Sequence, residues 1–277
     1  MKLKVQKERG LNRVIGPGDG GLRYLSFSRL ALEAGSSCSG ETGMEEVAIV
    51  VLSGTCSVSA GKAEFEGVGN RPNVFSGKPF LVYLPRGTKY TIRASSSLDA
   101  AIVGSLSEMD AEPILVRPED AAESEVGFLN WRRRVVKAFG EERVADKLLV
   151  GETINPPGCW SSVPPHKHDR HDPPNEFELE EIYFYKLMPP QGFGLQWIYS
   201  PEGEGGRLNE AIVVEEDDLV AIPRGYHPVV AGPGYRLYYL WAMAGKNREY
   251  GRFKVDPKHA WLSNCEPIVR EFLEKRP

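Results

Sequence analysis

The chain has 277 residues, of which 41% are hydrophobic and 26% are charged, and its net charge is −4. This length accommodates one large all-β domain or two smaller ones. The mild acidity gives no support to nucleic-acid binding, and no apolar stretch approaches the roughly 20 residues that cross a bilayer. The one basic cluster, Arg132 to Arg134 with Lys137, is interpreted as a solvated or interface stretch.

The N-terminus and the cysteines favour the cytoplasm. Residues 1–7 carry charge, but no apolar core follows them, so we expect no secretory signal there. Cys38, Cys56, Cys159 and Cys265 are widely separated and include no Cys-x-x-Cys pair. We therefore expect free thiols in a reducing compartment and no disulfide framework.

Short β-rich runs recur along the chain, bounded by turn residues that include many of its 29 glycines and 21 prolines. This pattern predicts antiparallel barrels or jelly rolls. Residues 45–50 resemble residues 180–185, and residues 80–87 resemble residues 219–225, with offsets of 135 and 138 residues. Repeats at this spacing indicate two copies of one β-unit.

The two units are predicted to divide after residue 116. Residues 1–116 form the first barrel, and residues 117–277 contain a linker and the second barrel. The charged stretch 117–125 is the predicted linker. The chain ends in a predicted amphipathic helix over residues 266–275, with Pro267 near its start.

All five histidines lie in the second half, and two of them form the sequence His166-Lys167-His168. Residues two apart on a strand face the same way, so both imidazoles can reach one ion. A His-x-His pair alone is more often a surface or turn feature, but here Glu181 and His227 can complete a ligand set. Three nitrogens and one oxygen suit Zn, Mn, Fe, Ni or Co and disfavour Ca or Mg. In the first copy Lys89 aligns with His227 and nothing replaces the pair, so that unit is predicted to be metal-free.

Several runs of the second half carry a resemblance to a known family. They are residues 160–169, 179–185, 189–196, 223–229 and 233–245. Together they resemble the 5-deoxyglucuronate isomerase family of bacterial myo-inositol catabolism, a relative of the 4-deoxy-hexosulose-uronate ketol-isomerases. Strong matching covers residues 150–262, and the N-terminal half fits in organisation more than in motif.

The resemblance implies an all-β chain of two cupin-type (jelly-roll) barrels, with a metal site only in the C-terminal barrel. It implies one divalent transition metal, Zn or Mn first and Fe, Ni or Co as alternatives, held by His166, His168, Glu181 and His227. The implied reaction is the aldose–ketose isomerisation of 5-deoxy-D-glucuronate to 5-dehydro-2-deoxy-D-gluconate. The partner is thus a small sugar acid, with no nucleic acid and no membrane, and we expect a homo-oligomer.

More than one residue is a candidate for the third ligand, because twelve residues separate His168 from Glu181 where typical cupins have three or four. One residue, not two, separates Gly225 from His227. The long gap leaves four competitors: His171, Glu176, Glu178 and Glu180. Glu181 shares a strand face with Tyr183 and Tyr185, whereas Glu180 shares one with Ile182 and Phe184, and a polar lumen favours the tyrosine face.

Candidate catalytic and substrate-binding residues follow from the same segments. Tyr183 and Tyr185 could shuttle protons, with simple packing or a metal-bound hydroxide as alternatives. Arg224 is placed for bidentate binding of the substrate carboxylate, with Lys167 and Arg170 as alternatives, and Gln196 could bond a sugar hydroxyl. Other functions compatible with the ligand set are an Fe(II)-dependent dioxygenase, a related uronate isomerase and a non-enzymatic sugar-binding cupin.

Overall fold

The computed structural model describes residues 1–201 and 208–274, and strands dominate it. The strands are β1 (Lys2–Lys4), β2 (Gly10–Ile15), β3 (Leu25–Leu32), β4 (Ser37–Glu41), β5 (Glu45–Ser53), β6 (Cys56–Ala60), β7 (Ala63–Val68), β8 (Leu81–Leu84), β9 (Lys89–Ala94), β10 (Leu98–Leu106), β11 (Ile114–Val116), β12 (Ala122–Val126), β13 (Arg133–Phe139), β14 (Leu149–Asn155), β15 (Trp160–Ser161), β16 (His166–Lys167), β17 (Glu180–Met188), β18 (Phe193–Tyr199), β19 (Asn209–Glu215), β20 (Asp218–Ile222), β21 (Val229–Ala231), β22 (Arg236–Ala244) and β23 (Lys254–Val255). The helix α1 (Trp261–Glu274) follows them, and short 3-10 turns lie at Asp19–Gly21, Pro118–Asp120 and Leu129–Trp131. No helix in these ranges is long and apolar enough to cross a membrane.

The strands of the described ranges form antiparallel sheets that fall into two pairs. In the first half a six-stranded sheet, in the order β11-β8-β5-β10-β3-β2, accompanies a four-stranded sheet, β4-β9-β6-β7. In the second half a seven-stranded sheet, β1-β20-β17-β22-β14-β13-β12, accompanies another four-stranded sheet, β15-β21-β18-β19. The short β16 and β23 pair with each other. The chain is therefore an all-β protein, as predicted.

Three clusters of buried apolar side chains lie between these sheets. One cluster lies between the six-stranded sheet and its four-stranded partner, and a second lies between the seven-stranded sheet and its own partner. The third joins the two large sheets and includes the rings of Phe27 and Phe184, whose centroids are 5.1 Å apart. The central strands β5, β17 and β22 are consequently buried on both faces, which explains their nearly continuous apolar sequences.

Two buried glutamates connect the halves reciprocally. The carboxylate of Glu46 accepts hydrogen bonds from the backbone N–H groups of residues 146, 147 and 148 at 2.7–2.9 Å. The carboxylate of Glu180 accepts them from residues 23, 24 and 25, each at 2.7 Å. Each glutamate thus fixes the chain just before or at the start of a strand in the other half, which satisfies donors that would otherwise be buried unpaired.

This reciprocity corrects the predicted register of the repeat. Glu46 is equivalent to Glu180, an offset of 134 residues, so the alignment of Glu46 with Glu181 was wrong by one residue. Val47 pairs with Leu84 as Glu181 pairs with Ile222, which agrees with this assignment. A shift of one residue reverses the face of a strand side chain. The position of Glu181 is accordingly occupied by Val47 in the first half.

A buried ion pair also joins the halves. The Nη1 and Nη2 atoms of Arg71 donate to the two carboxylate oxygens of Glu152 at 2.9 and 2.6 Å. The Tyr238 hydroxyl donates to the same carboxylate at 2.7 Å. Each charged side chain is only 2% exposed, so the pair is shielded from solvent.

Two segments differ from the sequence interpretation. β1 pairs with residues 218–220, so the first strand belongs to the seven-stranded sheet of the second half. The second part of the predicted linker, residues 122–125, belongs to strand β12, which pairs with β13. The division of the chain after residue 116 stays a prediction. Strand β1 precedes this division in the sequence but pairs with β20, which follows it.

The terminal helix begins earlier than predicted. It starts at Trp261, so Pro267 lies inside it and not near its start. Residues 202–207 and 275–277 lie outside the described residues. The last residue of the predicted helix, Lys275, is among them.

Candidate metal centre

Three histidines and one glutamate converge from different parts of the second half. His166 lies on β16, His168 follows it, Glu181 lies near the start of β17, and His227 follows β20. One potential ligand atom from each histidine lies within 4.8 Å of the other two. The Oε2 atom of Glu181 lies 3.2 Å from Nε2 of His168 and 3.3 Å from Nε2 of His227. The four residues predicted as ligands are therefore adjacent in space.

Backbone carbonyls orient the three imidazole rings. Nδ1 of His168 lies 2.7 Å from the carbonyl oxygen of Leu179, and Nδ1 of His227 lies 2.9 Å from that of Gly225. Nδ1 of His166 lies 3.4 Å from the carbonyl oxygen of Pro164. When Nδ1 donates its proton to a carbonyl, Nε2 carries the lone pair, so each ring presents a ligand atom to the centre.

Gly225 is required for this arrangement. Its φ is +94°, and an added Cβ would lie 2.8 Å from the carbonyl oxygen of Tyr199. Its N–H donates to Asp169 at 2.7 Å, while its carbonyl accepts from His227. The residue thus ties the His227 turn to the loop that follows His168.

The donor set fits a transition-metal ion. Within the described residues, Oε2 of Glu181 and Nε2 of His227 are buried and form no hydrogen bond. A buried polar atom without a partner costs about 1–3 kcal/mol, and an ion between the four side chains would engage both atoms. Three imidazole nitrogens with one carboxylate oxygen form a set suited to Zn, Mn, Fe, Ni or Co.

Burial and mutual proximity set the protonation of the histidines. Burial lowers the pKa of His166 well below its usual value, and the neighbouring His227 and His168 lower it further. Burial also lowers the pKa of His227, an effect that Glu181 offsets only in part. For His168 burial acts in the same direction, but the contact with Glu181 outweighs it and the pKa is raised. His166 and His227 are consequently neutral near pH 7, the form that binds metal.

A cavity of about 460 Å³ opens beside the cluster. Its wall is formed by β12, β13, β14, β17, β22 and the segment 249–253. Polar side chains that reach it include Arg133, Thr153, Ser162, Tyr183, Tyr239 and Tyr250, together with His166, His168 and Glu181. A cavity of this volume accommodates a small molecule, and its hydroxyl-rich wall suits a ligand with many hydrogen-bonding groups.

A model of the KduI/IolB family matches residues 2–262 of the chain. The chain belongs to the KduI/IolB family. The 5-deoxy-glucuronate isomerase of Geobacillus thermodenitrificans is 36% identical over 256 residues, which cover 92% of each protein. The protein of the same name from Bacillus subtilis strain 168 is 36% identical over 243 residues, 87% of this chain and 88% of the relative. The resemblance inferred from the motifs is confirmed.

Solved structures agree with this family membership. An IolB-like protein from Salmonella typhimurium LT2 superposes with a TM-score of 0.89 at 32% identity, over 95% of this chain and 98% of the other. An oxalate decarboxylase from Lactobacillus farciminis superposes with a TM-score of 0.63 at 13% identity, over 100% of this chain and 96% of that one. The second likeness concerns the fold alone.

The competitors of Glu181 have other partners in this family member. Glu176 accepts from Lys167 and from two backbone N–H groups, and Glu178 pairs with Arg23 at 2.8 Å. Glu180 binds the backbone of residues 23–25, and His171 is exposed beside Phe177. Among the five candidates, Glu181 is the one beside the histidines, on the strand face that alternation favoured.

The two predicted catalytic tyrosines differ in position. Tyr183 lines the cavity, and its hydroxyl lies 3.4 Å from Oγ of Ser162. Tyr185 lies deeper, and its hydroxyl donates to Oε1 of Gln196. Burial raises the pKa of both hydroxyls well above the usual value, with Glu181 and Tyr239 contributing in the same direction. Only Tyr183 of the two is within reach of a ligand in the cavity.

Gln196 supports the centre from behind. Its side chain is fully buried, and Nε2 donates to the carbonyl oxygens of His227 at 2.7 Å and Pro228 at 3.1 Å. With Oε1 accepting from Tyr185, the amide holds the His227 backbone in place. Its donors and acceptor are directed at protein groups, so its placement gives no support to the predicted contact with a sugar hydroxyl.

Lys167 and Arg224 do not line the cavity in the part of the chain that the structure describes. Lys167 points away from the two histidines that flank it, as strand alternation requires, and its buried ammonium pairs with Asp169 and Glu176. Arg224 is half-buried on the turn before His227. Their predicted roles in substrate binding stay predictions that the placement does not support.

Arg133 is one of several cavity residues that the sequence interpretation missed. It was assigned with its neighbours to a solvated or interface stretch, yet it lines the cavity from the start of β13. Val135 and Lys137 line the cavity from the same strand. Alternation along residues 133–137 was the signal available in the sequence, because it separates Arg133 from the adjacent Arg132 and Arg134.

Proposed function

We propose that the chain is a 5-deoxy-glucuronate isomerase, a metal-dependent aldose–ketose isomerase that converts 5-deoxy-D-glucuronate to 5-dehydro-2-deoxy-D-gluconate. The observation that carries the proposal is the convergence of three histidines and Glu181, of which His166, His168 and Glu181 line a cavity of about 460 Å³. The relatives of this name, 36% identical over 92% of the chain, support the choice of reaction.

Isomerisation moves a carbonyl group between adjacent carbons. A proton leaves the carbon beside the carbonyl and returns to its neighbour, while negative charge grows on oxygen. A divalent metal, when bound, supplies a Lewis acid that stabilises this charge by several kcal/mol. In this chain His166, His168, Glu181 and His227 would hold it, with Zn or Mn first and Fe, Ni or Co as alternatives.

Tyr183 is the residue of this chain that we assign to the substrate oxygen. Its hydroxyl reaches the cavity within two residues of Glu181 along β17 and lies close to Ser162. From this position it can donate a hydrogen bond to an oxygen that gains negative charge. The Ser162 hydroxyl, itself in the cavity wall, keeps the phenol oriented.

A Tyr183→Phe variant is therefore expected to lower kcat by about 10- to 100-fold, the effect of losing a hydrogen bond to a charged group. Its metal content should stay at the wild-type value, since no ligand is changed. Steady-state kinetics and elemental analysis of the same preparation measure both quantities.

Tyr185→Phe is the matched control. It removes the hydroxyl that donates to Gln196 and leaves a buried acceptor unpaired, which costs about 1–3 kcal/mol of unfolding free energy. Turnover should stay near wild type, because Gln196 keeps its two hydrogen bonds to the carbonyl oxygens of His227 and Pro228. Equal losses of kcat in the two variants would show that Tyr183 has no special relation to the substrate.

We further propose that each sheet pair is a cupin-type barrel and that only the C-terminal one binds metal. Each pair encloses an apolar cluster of its own. In the first half Val47 stands at the position of Glu181, and Lys89 at that of His227.

All four cysteines are free, as predicted, which agrees with a reducing cytoplasm. A homo-oligomer stays a prediction.

The test of the function is an NMR time course of metal-loaded protein with 5-deoxy-D-glucuronate in deuterated water, with and without a chelator. We expect loss of the aldehyde-derived signals and growth of a ketone product that the chelator blocks. Deuterium in the product would identify proton transfer. Absence of turnover in metal-loaded protein, with O2 uptake by the iron form, would replace the isomerase by an oxygenase.

A further inference from the structure

Arg133 places a positive charge in the wall of the cavity. It is the first residue of β13, its side chain is half-buried, and it lines the same cavity as His166, Glu181 and Tyr183. Strand β13 thus contributes a cation to the space in which a substrate would bind.

The other cations of the cavity wall are neutralised by carboxylates. Lys137 lies 3.2 Å from Glu141 and 3.4 Å from Glu142, and Arg252 lies 3.7 Å from Glu249. In the described ranges Arg133 has no carboxylate within ion-pair distance. A guanidinium keeps its charge in proteins, and among the described carboxylates Glu266 acts on this charge only from beyond ion-pair distance.

Two backbone carbonyls hold the guanidinium in one orientation. Nη1 of Arg133 donates to the carbonyl oxygens of Trp131 at 3.2 Å and Val163 at 3.5 Å. Nε and Nη2 have no acceptor among the described residues. A guanidinium edge with free donors is the geometry that a carboxylate recognises with two parallel hydrogen bonds.

Burial without a directly paired counter-ion is unfavourable for this group. Burial lowers the pKa of Arg133, and the nearby Tyr239, Tyr250, Tyr183 and Glu266 oppose that effect only in part. An anion that enters the cavity would compensate the charge. A sugar acid brings such an anion at one end of the molecule, and its carbonyl end is then free to meet the histidine cluster.

We propose that Arg133 binds the carboxylate of the substrate and makes the cavity selective for uronic acids over neutral sugars, an inference that rests on the proposed isomerase function. Arg133 thereby takes the role predicted for Arg224. Fixing the carboxylate at β13 would direct the opposite end of the sugar towards Tyr183 and the metal ligands.

The test compares metal-loaded wild type with Arg133→Gln, Arg133→Lys and the control Arg132→Gln, whose side chain is exposed outside the cavity. The substrates are 5-deoxy-D-glucuronate and 5-deoxy-D-glucose, which has a hydroxymethyl group in place of the carboxylate. For the acid, Arg133→Gln should raise KM by about 10- to 100-fold and change kcat by a smaller factor. For the neutral sugar it should change neither constant. Arg133→Lys should have a KM for the acid between those of wild type and Arg133→Gln, because lysine restores the positive charge but not the paired donors of the guanidinium. Arg132→Gln should match wild type.

Calorimetric titration with D-glucuronate and D-glucose separates this inference from the proposed function. If wild type does not isomerise 5-deoxy-D-glucuronate, the function fails, and the titration alone decides the role of Arg133. Weaker binding of glucuronate to Arg133→Gln, with unchanged metal content, supports the carboxylate contact. Three results would overturn the carboxylate contact: Arg133→Gln loses affinity equally for the acid and the neutral sugar, it loses affinity for neither, or wild type does not bind glucuronate.

Discussion

A His227→Ala variant is expected to purify without bound transition metal and to isomerise substrate about 1000-fold more slowly than wild type. The change removes one of three converging nitrogens and leaves Glu181 buried without that partner. A metal that contributes several kcal/mol to the reaction accounts for a loss of this size. Elemental analysis after purification and the NMR time course measure the two effects.

His171→Ala is the matched control, because His171 is close to the ligands in sequence but exposed, beside Phe177. It should keep wild-type metal content and turnover. The fold of His227→Ala should be retained, since Gln196 contacts the backbone of residue 227 and not its ring. Circular dichroism checks this point. Full metal content in His227→Ala, or an equal loss in His171→Ala, would contradict the proposed ligand set.

Three of the four proposed ligands, His166, His168 and Glu181, could be selected from the sequence by a short-range rule. Strand alternation places His166 and His168 on one side and separates Glu181 from Glu180. The same rule places Lys167 on the opposite side, where it pairs with Asp169 and Glu176. Proximity to ligands in sequence was therefore a poor guide to its function.

Contacts between distant segments could not be predicted in this way. Arg133 reaches the cavity because β13 pairs with β14 and β14 with β22, a sheet order that sequence periodicity does not specify. The role of Glu180 depends on backbone groups more than 150 residues away. The crossing of β1 into the second sheet likewise requires knowledge of the edge that β20 leaves open. The sequence pattern thus identifies strand faces, while the partner of each face follows from the assembled fold.

An Arg71→Met variant is expected to lower the free energy of unfolding by about 3–5 kcal/mol, the cost of leaving one partner of a buried ion pair without the other. Glu152 would stay buried, with only the Tyr238 hydroxyl as a donor among these groups. Arg71 also donates from Nε to the carbonyl oxygen of Val51 at 3.1 Å, and that acceptor would lose its bond. Urea denaturation followed by tryptophan fluorescence measures the change.

Arg86→Met is the control for removing an arginine from an ion pair at the surface. Arg86 and Asp110 are 2.9 Å apart, with side chains 40% and 88% exposed, so about 0–1 kcal/mol is expected. The double variant Arg71→Met with Glu152→Met removes both charges and should recover much of the stability lost by Arg71→Met alone, because no uncompensated charge remains buried. If Arg71→Met were as stable as wild type, the pair would not contribute to holding the two halves together. A double variant less stable than Arg71→Met would instead show that Glu152 contributes independently of Arg71, through its bond with Tyr238.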